Sequence, residues 1–184
     1  NQFGALAMAG CGSYSKIEGF GFIPVTCFSQ ALTTFIGQNL GAKEYDRAKK
    51  GALFGTICGI GIAEVIGIAV FFFSPYLIAA FGGDQKAIEY GIAEAHTIAL
   101  FYCLLAFSHC MAAIQRGAGR SIVPMFVMMI VWCGVRVTYI SIVIRIIPVI
   151  NVIYWAYPLT WFISSVIFLI LFLKTDWIHG LEKQ

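Results

Sequence analysis

Residues 52–73 read ALFGTICGIGIAEVIGIAVFFF, and Glu64 is the only charged side chain among them. At a rise of about 1.5 Å per helical residue, this stretch is long enough to cross a bilayer core of about 30 Å. Four more apolar stretches of similar length occupy residues 17–40, 87–114, 122–147 and 152–173. The sequence therefore predicts an all-α integral membrane protein, built as a bundle of five transmembrane helices plus an N-terminal remnant.

The composition of the whole chain agrees with a membrane location. Of its 184 residues, 60% are hydrophobic and 11% are charged, whereas a soluble domain carries about 25% charged residues. Five crossings with short connections use nearly the whole chain, which leaves no room for a soluble catalytic domain. The sequence also lacks an HExxH motif and any pattern of Ser with His or of paired Asp that a membrane enzyme would use, so we expect no enzymatic activity.

Basic residues cluster in alternate connections and in the tail. They are Lys43, Arg47, Lys49 and Lys50, then Arg116 and Arg120, and finally Lys174 and Lys183. Because cytoplasmic loops carry an excess of Lys and Arg, the first span is expected to run from outside to inside. Residues 1–16 then form an outer loop or a helix extension after a missing helix, residues 17–173 the transmembrane bundle, and residues 174–184 a cytoplasmic tail.

Several types of site are not expected. The six cysteines are scattered mostly through apolar stretches without a CxxC pair, which indicates small buried side chains rather than a metal or redox site. No basic surface interleaved with aromatic residues is present, so nucleic acid is not an expected partner. Aromatic residues near the ends of the last span are expected to anchor it at the membrane interface; they are Tyr154, Trp155, Tyr157, Trp161 and Trp177.

Glycines recur at the spacing that allows two helices to approach closely. The pairs are Gly37 with Gly41, Gly51 with Gly55, and Gly55 with Gly59. Since lipid tails are as apolar as leucine, helices in a bilayer associate through such close packing rather than through the hydrophobic effect. We expect these glycines to serve packing rather than bending.

A polar stripe follows the first span. On a helix with about 100° per residue, the side chains that share roughly one third of its circumference are Glu18, Thr26, Ser29, Gln30 and Thr33. Polar groups at membrane depth avoid lipid, so the stripe faces either a water-filled cavity or another helix, to which it would donate hydrogen bonds. Both interpretations stay open at this point.

Further polar residues lie inside the third and fourth spans. Glu94, Ser108 and His109 belong to the third span, and Arg136 lies near the middle of the fourth. Ionisable residues inside a span are costly and usually face a partner or a cavity. Glu18 and Glu94 lie at similar depth and can share a proton or a cation, because burial and like charge raise the affinity for positive charge. Equally, either acid can be a structural partner of Arg136.

Two longer segments resemble the multidrug and toxic compound extrusion (MATE) family. They are PVTCFSQALTTFIGQNLGAKEYDRAKK at residues 24–50 and QRGAGRSIVPMFVMMIVWCGVR at residues 115–136. Their order and separation resemble the C-terminal half of that family. The motif residues that carry the resemblance are Gly37, Gln38, Gly41, Arg116, Gly117 and Gly119. The resemblance implies that the chain is half of a twelve-helix transporter and contributes its eighth to twelfth helices.

The resemblance also implies a function. Members of the family exchange organic cations and drugs for protons or sodium by alternating access, without any other cofactor. In a bacterium the expected location is the cytoplasmic (plasma) membrane, with lipid and the missing N-terminal half as partners.

Glu18 matches the acidic position before the proline of the eighth helix, so Glu18 and Glu94 are candidates for cation coupling. The candidates for lining the cavity are Thr26, Ser29, Gln30, Thr33, Ser108, His109 and Arg136. No metal is expected beyond possible sodium. Around residues 105–109, the part that corresponds to the family's tenth-helix acid, this sequence has no carboxylate. The alternatives are a lipid-linked oligosaccharide flippase of the same superfamily and a channel.

Overall fold

The computed structural model of the chain describes residues 3–179. Five helices are long and apolar enough to cross a membrane: α1 (Gly4–Gly41), α2 (Tyr45–Ala79), α3 (Gln85–Gly117), α4 (Ile122–Ile146) and α5 (Asn151–Lys174). Residues 3–179 contain no β-strand. The predicted all-α bundle with five spanning helices is therefore confirmed.

The first two helices are longer than their apolar stretches. α1 begins at Gly4, so residues 4–16 continue the first helix. α2 continues through Pro75 to Ala79, although the sequence placed a connection there. Pro75 has no N–H to donate to the carbonyl of Phe71, and that carbonyl instead lies 3.1 Å from Ser74 Oγ and 3.1 Å from His96 Nε2 of α3. Because these two contacts replace the missing hydrogen bond to the Phe71 carbonyl, α2 continues beyond Pro75. Residues 1–2 and 180–184, including Lys183, lie outside the described residues.

Two helices contain irregular segments that the sequence did not predict. In α3, a 3₁₀ turn at Ala99–Phe101 separates Gln85–Ile98 from Tyr102–Gly117. In α4, a π-helical segment at Met129–Val135 separates Ile122–Met128 from Arg136–Ile146. Both change the direction in which the following side chains point, and such irregularities inside helices are frequent at functional sites.

Glycines of α2 form the contact surface for α1. Three of them face three large side chains of α1 in reverse order: Gly51 with Phe35, Gly55 with Leu32 and Gly59 with Phe28. A methyl group added at Gly51 would overlap the Phe35 ring. These glycines therefore act in packing, as their spacing indicated, whereas Gly41 has no neighbour within 4 Å of an added Cβ.

One end of the bundle, which we call the basic end, comprises residues 42–44, 118–121 and 175–179. Residues that are distant in sequence meet there, since Arg120 Nη2 donates to the carbonyl of Asp176 at 2.9 Å. The rings of Tyr45 and His179 lie 5.2 Å apart. The basic residues at or near this end are Lys43, Arg47, Lys49, Lys50, Arg116, Arg120 and Lys174, which outnumber the acidic Glu44, Asp46 and Asp176. That this end faces the cytoplasm stays a prediction from the positive-inside tendency.

The GQNLGA motif ends α1 in a Schellman turn, in which the last carbonyls of a helix are bonded by amides beyond it. The amide of Glu44 donates to the carbonyl of Asn39 at 2.8 Å, and the amide of Lys43 donates to that of Leu40 at 3.0 Å. Lys43 adopts a left-handed conformation with φ of 59°. The motif is thus a helix stop at the basic end.

The RGAGR motif ends α3 with the same type of turn. The amide of Arg120 donates to the carbonyl of Gln115 at 2.9 Å, and the amide of Gly119 donates to that of Arg116 at 3.0 Å. Gly119 takes the left-handed position with φ of 79°. The two motifs from distant parts of the sequence therefore share one turn geometry.

The turn geometry predicts that substitution of Gly119 and substitution of Gly41 have different effects on stability. Replacing Gly119 with alanine is expected to lower the free energy of unfolding by about 1 kcal/mol, because an L side chain pays that cost in the left-handed region. Replacing Gly41 with alanine is expected to be neutral or slightly stabilising, since Gly41 ends the helix without positive φ and without close neighbours. Thermal unfolding of the two purified variants in detergent measures the difference. Equal midpoints would contradict this assignment of the turn.

Candidate functional site

A cavity of about 260 Å³ lies in the half of the bundle away from the basic end. Helices α1, α3, α4 and α5 all contribute to its wall. The wall combines the carboxyl of Glu18 and the guanidinium of Arg136 with the aromatic rings of Trp132, Tyr157 and Trp161. A negative group, a positive group and several ring faces thus meet in one space.

Arg136 is held by a hydroxyl and by ring faces. Its Nε and Nη2 donate to Thr160 Oγ1 at 3.2 and 2.8 Å. Its guanidinium carbon lies 4.2 Å from the centre of the Tyr157 ring and 5.9 Å from that of Trp132, in cation–π geometry. Within residues 3–179, no carboxylate lies within salt-bridge distance of Arg136. Arg136 and Glu18 therefore share the cavity and interact electrostatically without forming an ion pair.

The π-helical segment of α4 places the aromatic and basic groups of the wall. Trp132 lies within that segment, and Arg136 follows it directly. Trp132 Nε1 donates to Ser164 Oγ of α5 at 3.2 Å, which fixes the indole against α5. The local widening of the helix thus gives both side chains access to one cavity.

Glu94 lies deeper in the same half of the bundle. Its side chain is buried at 4% exposure, and its Oε2 has no hydrogen-bond partner among residues 3–179. Glu18 is close enough to act on it electrostatically. A buried carboxylate oxygen without a hydrogen-bond partner is costly, which keeps Glu94 a candidate for holding a proton or accompanying a cation. Glu94 is thus suited to take up and release positive charge.

Phenol groups form hydrogen bonds in the same half of the bundle. The hydroxyls of Tyr14 and Tyr102 lie 3.1 Å apart. The hydroxyl of Tyr154 donates to the carbonyl of Tyr90 at 3.2 Å, and Cys11 Sγ lies 3.8 Å from it. These pairs link α1 and α5 to α3, and they leave polar oxygens in an otherwise apolar interior.

The backbones of α1 and α3 touch one turn before Glu94. A methyl group added at Gly10 would overlap the carbonyl of Ala87, and one added at Gly91 would lie 2.9 Å from the carbonyl of Gly10. Such contact requires glycine at both positions. The crossing sets how closely Glu94 approaches α1.

The same two helices cross a second time near the basic end. An added Cβ at Gly37 would lie 3.4 Å from the carbonyl of Gly117. Nearby, Thr33 Oγ1 donates to the carbonyl of Ala113 at 3.2 Å. The GQNLGA and RGAGR motifs are therefore in contact, although about 80 residues separate them.

Comparison with known proteins decides the family. The family model described as MatE matches residues 1–142. The chain belongs to the MatE family. The expected resemblance is therefore confirmed.

Two relatives and one solved structure are similar to this MatE chain. The probable multidrug resistance protein NorM of Thermotoga maritima is 30% identical over 130 residues, which cover 70% of this chain and 28% of that protein. The probable multidrug resistance protein YoeA of Bacillus subtilis is 24% identical over 141 residues, which cover 74% of this chain and 30% of that protein. The MATE transporter ClbM, in complex with Rb⁺, matches with a TM-score of 0.85 at 17% identity, over 96% of this chain and 42% of ClbM.

The matches cover only part of each of these proteins. The MatE chain spans less than a third of the length of the two relatives. The likeness to ClbM shows that the two proteins share a fold. The MatE family consists of transporters, and the chain carries the helices of a multi-pass membrane protein.

Of the polar stripe of α1, only Glu18 lies on the cavity wall, and the other four residues lie away from it. Thr26 and Ser29 donate to carbonyls of α1 itself, Gln30 is exposed, and Thr33 donates to Ser29 and to Ala113 of α3. None of the four residues belongs to the cavity wall described above. Of the two interpretations of the stripe, hydrogen bonding between helices therefore describes Thr33. A role for the stripe in lining a larger path stays a prediction.

Ser108 is fully buried between α3 and α5. Its Oγ lies 2.9 Å from Ser164 Oγ and 3.0 Å from Ser165 Oγ. This group of three serines connects the two helices. Ser164 also accepts the indole N–H of the cavity wall, so Ser108 supports the wall without belonging to it.

His109 lies behind the cavity wall. Its ring packs edge-to-face against Phe22 at 4.9 Å and against Trp132 at 5.4 Å, measured between ring centres. Its Nε2 is buried without a hydrogen-bond partner within residues 3–179. The structure therefore brings together Glu18, Arg136 and His109 among the residues that the sequence singled out.

Sequence reasoning missed the aromatic part of the wall. The expectation that Tyr154, Trp161 and Trp177 anchor the chain at the membrane interface was wrong, because all three side chains are buried inside the bundle. Trp155, at 50% exposure, is consistent with an anchor. The spacing of Tyr157, Trp161 and the serines at three to four residues marks one face of α5 and could have indicated a buried polar stripe.

Proposed function

We propose that this chain is part of a cation-coupled exporter, which moves organic cations or drugs out of the cell in exchange for protons or sodium by alternating access. The observation that carries the proposal is the buried carboxyl of Glu94, whose Oε2 has no hydrogen-bond partner within residues 3–179, in the same half of the bundle as the cavity that holds Glu18. The names of the multidrug resistance relatives and the Rb⁺ complex of ClbM support it. The bacterial cytoplasmic membrane is the proposed location.

The cavity offers a physical reason for exchange. The ring faces of Trp132, Tyr157 and Trp161 suit an organic cation, since aromatic rings attract positive charge. Arg136 opposes a second positive charge there unless Glu18 is ionised. When a proton or sodium neutralises Glu18, the positive charge of Arg136 is no longer balanced and the organic cation is repelled. Cation and substrate thus compete for the same charge balance.

The rest of the full-length protein is proposed to contribute to the exchange of cation and substrate. Because the chain spans 28% of the length of NorM and 42% of ClbM, the substrate path is proposed to lie between this bundle and further helices. Lipid surrounds the assembled bundles, and no cofactor beyond the coupling ion is proposed.

Transport by the full-length protein in liposomes tests the proposal. A fluorescent organic cation such as ethidium is loaded, and a sodium or proton gradient is then imposed in either direction. We expect saturable movement of the dye that reverses when the gradient is reversed. Dye movement that ignores both gradients would contradict cation coupling, and single-channel currents would favour the channel alternative.

The flippase alternative predicts a different cavity. A lipid-linked oligosaccharide carries phosphate groups, so its binding site is expected to be strongly basic. Arg136 is the only basic side chain on the cavity wall within the described chain. This charge balance favours an organic cation as the substrate.

A further inference from the structure

Helix α3 is interrupted near its middle. Phe101, at the end of the 3₁₀ turn, leaves helical geometry with φ of −105° and ψ of 12°. The amide of Tyr102 bonds to the carbonyl of Ala99, three residues back. The second half of α3 therefore starts as a new helix whose first amides have no regular partners. This new helix start lies near the middle of a spanning helix, where the half-buried Phe101 and Cys103 are at the depth of the membrane and water is scarce.

The side chain of Glu64 on α2 satisfies one of these amides. The N–H of Cys103 donates to Glu64 Oε2 at 3.2 Å. A carboxylate is favoured at a helix start, because the free N–H groups and the helix dipole give that end a partial positive charge. Glu64 thus caps a helix from a neighbouring helix, and it explains an ionisable residue in the middle of an apolar span.

The backbone of α2 fits the same interruption. Gly67 lies one turn after Glu64 and faces the same way. A methyl group at Gly67 would overlap the carbonyl of Ala99. The two residues of α2 therefore contact the two sides of the break, one through hydrogen bonding and the other through close approach.

The break separates two parts of α3, each of which is held by other helices. Residues 102–117 are fixed to α5 through Ser108 and to α1 through the carbonyl of Ala113. Residues 85–98 carry Glu94; they contact α1 at Gly10 and α5 through the carbonyl of Tyr90. The break is thus the point between two sets of contacts at which the angle between the two parts of α3 can change.

We propose that Glu64 is a positioning residue that holds the break in α3, and that the break is a hinge between residues 85–98, which carry Glu94, and residues 102–117, which carry Ser108. The hinge role rests on the proposed exchange function, since it is Glu94 that responds to the coupling cation. A bond that served stability alone would hold the two parts at one angle in every state.

Hydrogen–deuterium exchange of the full-length protein tests the hinge without any substitution. We expect the amides of residues 99–104 to exchange faster than those on either side, and to change on addition of sodium or on a shift of pH. Uniform slow exchange throughout residues 85–117, whatever the cation, would overturn the hinge.

Thiol labelling at Cys103 tests the role of Glu64. In full-length protein whose other cysteines are replaced by serine, Glu64→Leu is expected to raise the rate of labelling by N-ethylmaleimide about tenfold, as fits the loss of a hydrogen bond to a charged acceptor. Glu64→Gln removes the same negative charge beside the Cys103 thiol but keeps an acceptor oxygen, so the labelling rate is expected to rise clearly less than in Glu64→Leu. A protein with Cys58 as its single cysteine reports general loosening of α2 and is expected to be unaffected.

The outcomes separate this inference from the proposed function. An unchanged Cys103 rate in Glu64→Leu, or equal rates in the leucine and glutamine variants, would overturn the capping role. If Glu64→Leu cannot be purified, equally fast hydrogen–deuterium exchange of the Cys103 amide with and without an acceptor at residue 64, in Glu64→Gln and Glu64→Ala, would overturn it as well. Normal capping together with a cation-insensitive break in a protein that still exports dye would remove the hinge and leave the exporter standing.

Discussion

Replacing Glu94 with glutamine is expected to reduce cation-driven export by the full-length protein by about 10- to 100-fold, the range of a typical coupling free energy between two sites. Glutamine has nearly the same shape and forms hydrogen bonds, but it cannot bind and release a proton or balance a sodium ion. The buried Oε2 of Glu94, which lacks a partner within residues 3–179, is where this difference acts. Initial rates of dye export under an imposed gradient measure the effect.

Glu89 provides the matched control. It lies on the same part of α3 but is exposed, so Glu89→Gln removes a carboxylate without touching the interior. Its export rate is expected to stay within about twofold of the parent, as for most surface substitutions. Glu18→Gln is expected to weaken the competition between cation and dye, because Glu18 shares the cavity with Arg136. Full activity in both the Glu94 and the Glu18 variants would remove carboxylate coupling from this bundle.

The sequence predicted those features that depend on local pattern. The number of spanning helices follows from apolar length, and the close packing at Gly51, Gly55 and Gly59 follows from their spacing. The same spacing did not distinguish Gly41, which faces no neighbour. A glycine pattern indicates where helices can approach, whereas the partner that does approach depends on the whole bundle.

The features that the sequence did not predict depend on contacts between distant segments. The 3₁₀ turn in α3 contains no proline or glycine, and its supports, Glu64 and Gly67, come from another helix. One of the two interpretations made Glu18 or Glu94 a structural partner of Arg136, yet its donors point at Thr160 and its face lies on Tyr157. An apolar pattern cannot distinguish a regular helix from one with a π-helical segment. The sequence therefore did not predict the direction in which the Trp132 side chain points.

Replacing Gly117 with leucine is expected to lower the free energy of unfolding by about 3 kcal/mol or more, the upper range for overpacking a closed interface. An added Cβ at Gly117 would lie 2.7 Å from the carbonyl of Thr33 and 2.8 Å from Ile36 Cβ. Neither atom is the end of a flexible side chain, so the helices α1 and α3 themselves must separate. Thermal unfolding in detergent and the yield of monodisperse full-length protein measure the loss.

Substitutions at Gly61 and Gly37 serve as controls for the stability loss expected at Gly117. Gly61 of α2 has open space around an added Cβ, so Gly61→Leu is expected to be neutral or slightly stabilising. Gly37→Ala would place its Cβ 3.4 Å from the carbonyl of Gly117, an ordinary contact, and is expected to be tolerated far better than Gly117→Ala. If Gly117→Leu and Gly61→Leu unfold at the same temperature, the two motifs do not meet at this crossing. We expect Gly117 to be less tolerant of substitution than Gly37, because the absence of a side chain at Gly117 lets the backbone of α1 reach α3.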